Sequence, residues 1–339
     1  MAEPAAKIKK TINYLIRGII IVVTYGFIYH QVFVNHKFHD LSQVFYRFME
    51  RSNAWLIISI ILLMMLANWG IESLKWKLLI GKIEKVPFFK AFQAVMTGAS
   101  VSLFMPNRTG DYLGRVFILE KGNHVEGIFS TLVGSFSQTL ITLSVGLFCL
   151  LSFVDHYLRV PYEIGSYLFT SLILLVPCVV FAMLLIYFKI GLISDFISRY
   201  LPGKWEKFIR YSQVFSRYSE RELLYVILLS LLRYLVFSTQ FLILLKLFGA
   251  RIPGIEGMIL IPVIYLIMAM VPSIALIELG IRGSVSIFVI GLYFKKFGIG
   301  NGDSEMIILA ASTAIWFVNL VIPAILGTFF VFRLKFFRK

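Results

Sequence analysis

The sequence predicts an all-α, polytopic integral membrane protein, and two observations carry that prediction. Hydrophobic residues make up 59% of the 339-residue chain and charged residues only 15%, whereas a soluble domain is usually about 25% charged. Several apolar runs also approach the ~20 residues that a helix needs to cross the hydrocarbon core of a bilayer. We therefore expect residues 1–339 to form a single membrane domain.

Six apolar runs are long enough to be full transmembrane spans. Lysines precede the first run and no small-residue cleavage pattern follows it, so we expect a retained helix rather than a signal peptide. In chain order, the predicted full spans are residues 11–33, 55–80, 128–154, 164–188, 223–248 and 306–332.

Two further segments, residues 91–127 and 255–294, are interrupted by proline, glycine and charged residues. In the first segment Pro106 ends an apolar stretch that would be about 22 Å long as a helix, shorter than the ~30 Å hydrocarbon core. The return arm is too polar to face lipid. We therefore predict two re-entrant helical hairpins, which must be buried in protein or lie beside a water-filled cavity.

The distribution of basic residues predicts the topology. The N-terminus, the loop after the second predicted span, residues 189–221 and the C-terminal tail are all basic and fall on one side. The positive-inside rule makes that side cytoplasmic, so we expect both termini in the cytoplasm and the chain in the cytoplasmic (inner) membrane. Residues 189–221 mix basic and aromatic side chains and are predicted to lie on the headgroups as interfacial helices. The two hairpins then enter from opposite sides, which is typical of inverted repeats around a midplane site.

The net charge of +15 fits basic loops on an anionic membrane leaflet, so nucleic acid is not an expected partner. The two cysteines, Cys149 and Cys178, both fall in predicted spans, and the five histidines lack metal-ligand spacing. No disulfide, metal or other cofactor is therefore expected. Because no nucleophile elbow, Walker loop or dinucleotide fingerprint occurs in a plausible context, we do not expect an enzyme.

The first broken segment carries four candidate substrate-binding residues, Asn107, Arg108, Asp111 and Arg115. Asp111 and Arg115 are four residues apart and share a face if the return arm is helical. Arginine binds phosphate through a rigid bidentate fork, which favours a pocket for a lipid phosphate. The alternative is a structural ion pair that neutralises a buried hairpin.

Four more polar residues within apolar sequence complete the predicted site: Glu278, Arg282, Glu72 and Gln138. Glu278 and Arg282 either line the site, with Glu278 as a proton carrier, or close on each other as an ion pair. Glu72 lies deep in the second span, where the alternative is pairing with Lys75 or with a hairpin arginine. Gln138 belongs to a polar cluster that helix–helix hydrogen bonding also explains.

The run LFMPNRTGDYLGR at residues 103–115 resembles the first signature of the lysylphosphatidylglycerol synthase transmembrane region, also called the flippase-like domain family. The segment from Val271 to Arg282 resembles the second signature of that family, and the likeness covers roughly residues 10–335. The third predicted span lacks a charged pattern that many relatives carry, because residues 134–138 read GSFSQ.

The resemblance implies a multi-span domain that moves or presents lipids such as aminoacylated phosphatidylglycerol or polyprenyl-linked glycans. We expect a standalone form without the aminoacyltransferase domain of the full synthases, which would not make a lysyl lipid by itself. The expected function is a flippase-like transporter for an anionic phospholipid or a polyprenyl-phosphate lipid.

In that hypothesis Arg108 and Arg115 hold the lipid phosphate, while Asp111, Glu72 and Glu278 tune the arginines or carry a coupling proton. Two alternatives stay open at this point. One is a non-transporting protein that binds a lipid and presents it to a separate lipid- or glycan-modifying enzyme. The other is a membrane-embedded enzyme that acts on lipid-linked sugars.

Overall fold

The computed structural model describes residues 49–50, 53–103, 105, 109–119, 123–192, 196, 199, 211–271, 275–300 and 304–331, and the regular structure in those residues is helical. The predicted first span, residues 11–33, lies outside the described residues, as do the candidate site residues Asn107 and Arg108. Much of the predicted interfacial segment, residues 189–221, lies outside them as well.

The described helices are numbered here in chain order. They are α1 (Ala54–Ile80), α2 (Phe88–Ser102), α3 (Gly110–Val116), α4 (His124–Phe153), α5 (Ser166–Phe188), α6 (Glu220–Phe248), α7 (Gly254–Met270), α8 (Ala275–Phe297), α9 (Ser304–Trp316) and α10 (Ile322–Val331). A π-helical turn, Val154–Leu158, extends α4, and a second one, Phe317–Val321, joins α9 to α10.

Within this described part of the chain, five helical stretches are long and apolar enough to cross a membrane. They are Ala54–Ile80, His124–Leu158, Ser166–Phe188, Glu220–Phe248 and Ser304–Phe330. Each overlaps one of the predicted spans, and the predicted class, a polytopic all-α membrane protein, is confirmed.

The ends of α6 follow directly from the local sequence. Ser219 accepts a hydrogen bond from the backbone N–H of Glu222, and the Glu222 side chain accepts one from the Ser219 backbone in return, which forms a capping box. Gly249 ends the helix in the left-handed region, at φ 108°, where a residue without a Cβ is favoured. These residues therefore set the start and the end of α6.

The first broken segment folds as the helix pair α2 and α3, which pack through glycine. A Cβ added to Gly114 would lie 2.6 Å from the Cα of Gly98, and one added to Gly110 would lie 2.4 Å from the carbonyl oxygen of Val101. Real Cβ atoms do not approach other atoms so closely, so the pair requires glycine at these positions. This close approach brings Asp111 and Arg115 on α3 against α2.

The second broken segment folds as α7, with 17 residues, and α8, with 23 residues. At 1.5 Å per residue α8 is about 35 Å long, whereas α2, with 15 residues, is about 22 Å long. The two broken segments therefore differ in the length of their arms. The re-entrant depth of either segment and the inverted repeat stay predictions.

The last span is packed tightly onto the first broken segment. A Cβ added to Gly327 on α10 would lie 2.0 Å from the carbonyl oxygen of Met96 on α2, and the hydroxyl of Ser100 donates to the carbonyl of Ala324 at 2.6 Å. These two contacts hold the last span beside the α2–α3 pair. The π-helical turn that carries Asn319 comes directly before α10.

Candidate functional site

A cavity of about 550 Å³ lies inside the helical bundle. Both broken segments line it, through Asp111 and Arg115 on α3 and through Glu278 and Arg282 on α8. The helices α1, α4 and α6 and the π-helical turn of the last span supply further polar lining residues. Six of the eight predicted site residues therefore meet around one cavity, and Asn107 and Arg108 lie outside the described residues.

Glu72 on α1 is the centre of an ionic cluster in this cavity. Its Oε1 lies 2.8 Å from Nη1 of Arg115, and its Oε2 lies 2.8 Å from Nζ of Lys75 and 3.2 Å from Nη1 of Arg233. The Glu72 side chain is 5% exposed. Taking a carboxylate out of water costs several kcal/mol, which only close opposite charges and hydrogen bonds repay, and Glu72 has three such cations.

Arg115 is engaged by two carboxylates. Its Nε donates to Oδ1 of Asp111 at 2.8 Å, its Nη2 donates to Oδ2 of the same residue, and its Nη1 donates to Oε1 of Glu72. All three nitrogens of this guanidinium therefore have protein acceptors. For Glu72, the alternative to a substrate role was pairing with Lys75 or with an arginine of a broken segment. The structure contains both pairs, Glu72 with Lys75 and Glu72 with Arg115.

Arg233 is a lining residue that sequence reasoning missed. It lies in the middle of α6, donates from Nη1 to Oε1 of Gln138 at 3.3 Å, and its Cζ lies 5.5 Å from the ring centroid of Trp69. The signal was present in the sequence, since an arginine flanked on both sides by apolar residues within a predicted span marks a functional site by default.

Gln138 on α4 connects the cluster to the backbone of α6. Its Nε2 donates to the carbonyl oxygen of Ser230 at 3.4 Å while its Oε1 accepts from Arg233. The hydroxyl of Ser230 in turn contacts Nζ of Lys75 at 3.4 Å and the hydroxyl of Ser137 at 2.8 Å. The helix–helix hydrogen bonding expected of this polar cluster is thus present, and it occurs on the cavity wall.

On the opposite broken segment, Arg282 donates from Nη2 to Oε1 of Glu278 at 2.8 Å. Both residues are buried, with 5% and 6% of their surfaces exposed. Their spacing of four residues along α8 places them on one face, as the sequence predicts. The Cζ atom of Arg282 also lies 6.0 Å from the ring centroid of Phe237 on α6.

A chain of buried amides borders the cavity beside the ionic cluster. Asn68 on α1 donates to Oδ1 of Asn319 at 3.1 Å, and Asn319 donates to Oε1 of Gln240 on α6 at 2.7 Å. Asn319 sits within the π-helical turn of the last span, and such turns occur frequently at functional sites. Three helices are therefore joined by side-chain amides at the level of the cavity.

The described lining of the cavity carries more positive than negative charge. The basic side chains are Lys75, Arg115, Arg233 and Arg282, and the acidic side chains are Glu72, Asp111 and Glu278. Four cations against three carboxylates leave an excess of one positive charge, which favours an anionic guest in a low-dielectric setting.

No group of three or more His, Cys, Asp or Glu side chains that could hold a metal ion occurs within the described ranges. The lining residues supply instead guanidinium, ammonium, carboxylate and amide groups. Such groups bind and orient a charged guest through hydrogen bonds.

A bundle of apolar, membrane-length helices around a charged cavity defines a polytopic membrane protein with a polar site. The sequence model of the family described as Lysylphosphatidylglycerol synthase TM region matches residues 17–327. The chain belongs to this family, and the resemblance that residues 103–115 suggested is confirmed. No curated protein and no solved structure matches the chain.

Proposed function

We propose that the protein is a flippase-like transporter that moves a phospholipid or a polyprenyl-phosphate-linked lipid across the cytoplasmic membrane. The observation that carries the proposal is the cavity of about 550 Å³, which both broken segments line with charged side chains inside an apolar bundle. Membership of a family of membrane regions from lysylphosphatidylglycerol synthases supports a lipid as the guest.

The size and charge of the cavity suit a lipid headgroup. Cavities that hold small molecules usually measure about 300–1,000 Å³, and this one has an excess of one positive charge among its described lining residues. The barrier to lipid movement lies in taking the polar headgroup through hydrocarbon, because unpaired charge there is costly. A charged cavity lowers that barrier while the acyl chains remain in the bilayer.

The ionic cluster around Glu72 supplies the element that changes state in this proposal. Glu72 contacts cations from three positions, Lys75 on its own helix, Arg115 on α3 and Arg233 on α6. Neutralising Glu72 with a proton, or competing for its partners with an anionic headgroup, would loosen α3 from α1 and α6. Glu278 is the second carboxylate with which a coupling proton is proposed to exchange.

Orientation belongs to the same proposal. With both termini in the cytoplasm, the positive-inside rule is satisfied by the basic loops, and the α2–α3 pair would face the cytoplasmic leaflet. The transporter is proposed to do no covalent chemistry on the lipid, and a separate lipid- or glycan-modifying enzyme would then supply or use the moved lipid.

The test is lipid movement in a purified system. The protein is reconstituted in liposomes that contain fluorescent phosphatidylglycerol or a fluorescent polyprenyl-phosphate analogue. The rate at which probe from the inner leaflet becomes accessible to external dithionite is then measured with and without a proton gradient. Faster loss of fluorescence than in protein-free liposomes supports transport, and a response to the gradient supports proton coupling. Tight lipid binding without movement overturns transport and favours a protein that presents the lipid to an enzyme.

A further inference from the structure

Arg282 keeps hydrogen-bond donors for which the described residues offer no acceptor. Its Nη2 donates to Glu278, but its Nε and Nη1 are buried and have no hydrogen-bond partner. Only 5% of its surface is exposed, and it lines the central cavity. Buried polar groups in native proteins are nearly always hydrogen-bonded, so each exception requires an explanation such as a ligand.

A second unsatisfied donor lies on the same side of the cavity. The hydroxyl of Tyr265 on α7 is buried without a partner in the described part of the chain, and Tyr265 also lines the cavity. The ring of Phe237 stacks on Tyr265 with centroids 5.0 Å apart, and the guanidinium of Arg282 lies 6.0 Å from that same Phe237 ring. One aromatic side chain, Phe237, therefore lies beside both donor-bearing residues.

Arg115 and Lys75, which belong to the ionic cluster around Glu72, differ from Arg282 in this respect. All three guanidinium nitrogens of Arg115 donate to carboxylates, and Nζ of Lys75 contacts both Glu72 and the hydroxyl of Ser230. An anionic guest at Arg115 would have to displace Asp111 or Glu72, whereas Arg282 offers its donors with its own ion pair intact.

We infer that Arg282 and Tyr265 form a subsite that binds the phosphate of the guest. Arginine donates charge-assisted hydrogen bonds to phosphate oxygens, and the tyrosine hydroxyl would donate to another oxygen of the same group. Glu278 is a positioning residue, since it holds Nη2 and leaves Nε and Nη1 for the ligand. That the phosphate belongs to a lipid headgroup rests on the proposed function, whereas phosphate binding itself does not.

Binding to the purified full-length protein in detergent tests the subsite apart from transport. Three probes are compared by native mass spectrometry and ligand titration: phosphatidylglycerol, diacylglycerol with the same acyl chains, and inorganic phosphate. The variants are Arg282→Gln, Arg282→Lys and Tyr265→Phe. Arg159→Gln is the matched control, because Arg159 also pairs with a carboxylate four residues away, Asp155 at 2.9 Å, and does not line the cavity.

The expected loss of phosphatidylglycerol affinity is about 10- to 100-fold in Arg282→Gln, since hydrogen bonds to charged groups are involved. Tyr265→Phe is expected to lose about 3- to 10-fold, the range for one neutral donor. Arg282→Lys keeps the charge without the fork and should fall between wild type and Arg282→Gln. Diacylglycerol binding and the Arg159→Gln control should not change.

Unchanged phosphatidylglycerol affinity in Arg282→Gln and in Tyr265→Phe overturns the inference. An equal loss for diacylglycerol also overturns it, because the residues would then shape the cavity rather than bind phosphate. If Arg282→Gln does not fold, Arg282→Lys and Tyr265→Phe decide by the same comparison. If inorganic phosphate binds in an Arg282-dependent manner, the subsite is supported and a soluble anion can supply the phosphate. If only the lipid binds, the subsite is supported and the phosphate is that of the headgroup.

The same preparation separates this inference from the proposed function. Arg282-dependent phosphatidylglycerol binding without movement in liposomes would sink the transporter and leave the phosphate subsite standing. Movement that proceeds equally fast in wild type and Arg282→Gln, with equal affinity, would leave the transporter and remove the subsite.

Discussion

Glu72 on α1 and Arg115 on α3 form a buried ion pair of 2.8 Å between residues that are 43 positions apart in the sequence. The pair ties the return arm of the first broken segment to a membrane-length helix. Because Glu72 also contacts Arg233 on α6, one carboxylate links three helices around the cavity. Removing the Glu72 carboxylate should therefore lower both the stability of the protein and the rate of lipid movement.

Replacing Glu72 with Gln should destabilise the protein by about 3–5 kcal/mol, the range for removing one partner of a buried ion pair. Lys75, Arg115 and Arg233 would lose their shared acceptor inside the bundle. The measurement is the thermal unfolding transition in detergent. Asp155→Asn, which breaks a half-exposed pair with Arg159, is the control and should shift the transition little.

Arg115→Gln should lower the free energy of unfolding less in the Glu72→Gln background than in wild type, because the partner at position 72 is then already neutral. Coupled residues in one network typically show interaction energies of about 0.5–3 kcal/mol. A double-mutant cycle on unfolding transitions measures that difference. Additive effects of the two substitutions would show that the 2.8 Å contact contributes no coupling.

Arg233→Lys and Arg233→Gln should separate the charge from the geometry at the centre of α6. Lysine keeps the attraction to Glu72 but loses the planar contact with Trp69 and the bond to Gln138. We expect partial lipid movement in Arg233→Lys and a loss of about tenfold or more in Arg233→Gln, since a cation contact in a desolvated site is worth about 2 kcal/mol. The liposome assay measures both, and equal rates in the two variants contradict a role for the charge.

Gly114→Ala should separate α2 from α3 and lower the unfolding temperature. The added Cβ would lie 2.6 Å from the Cα of Gly98, and overpacking of this kind costs about 1–3 kcal/mol. Gly291→Ala on α8 is the control, because nothing lies within 4 Å of a Cβ built there. A Gly114→Ala variant as stable as Gly291→Ala would show that the two helices pack less closely.

Local features of the site were predictable from the sequence. Asp111 with Arg115 and Glu278 with Arg282 follow from helical periodicity, since both pairs are spaced four residues apart on one helix. The five membrane-length helices of the described residues were predictable for a different reason, because hydropathy is a property of the segment itself. The family followed from the motif at residues 103–115 and is confirmed by the match over residues 17–327.

Contacts between helices were not predictable, because they depend on which faces the fold brings together. Nothing in the sequence pairs Glu72 with Arg233, 161 positions apart by their numbers, although an arginine in the apolar middle of α6 was a visible signal. Arg115 has an acceptor for each of its guanidinium nitrogens, whereas Arg282 has one for Nη2 alone among the described residues. This difference also follows from tertiary placement. Arg115 meets a second carboxylate from α1, whereas Arg282 meets an aromatic ring from α6.

Blocking the cavity tests most directly whether lipid moves through it. Cys149 and Cys178 are replaced by alanine, and Thr142, a cavity-lining residue, is replaced by cysteine and modified with a bulky, reducible thiol reagent. Leu174→Cys on the outer surface of α5, where Leu174 is 67% exposed, is the matched control. We predict that modified Thr142→Cys stops lipid movement in liposomes, that reduction restores it, and that modified Leu174→Cys moves lipid normally. Undiminished movement with the cavity blocked would contradict the account.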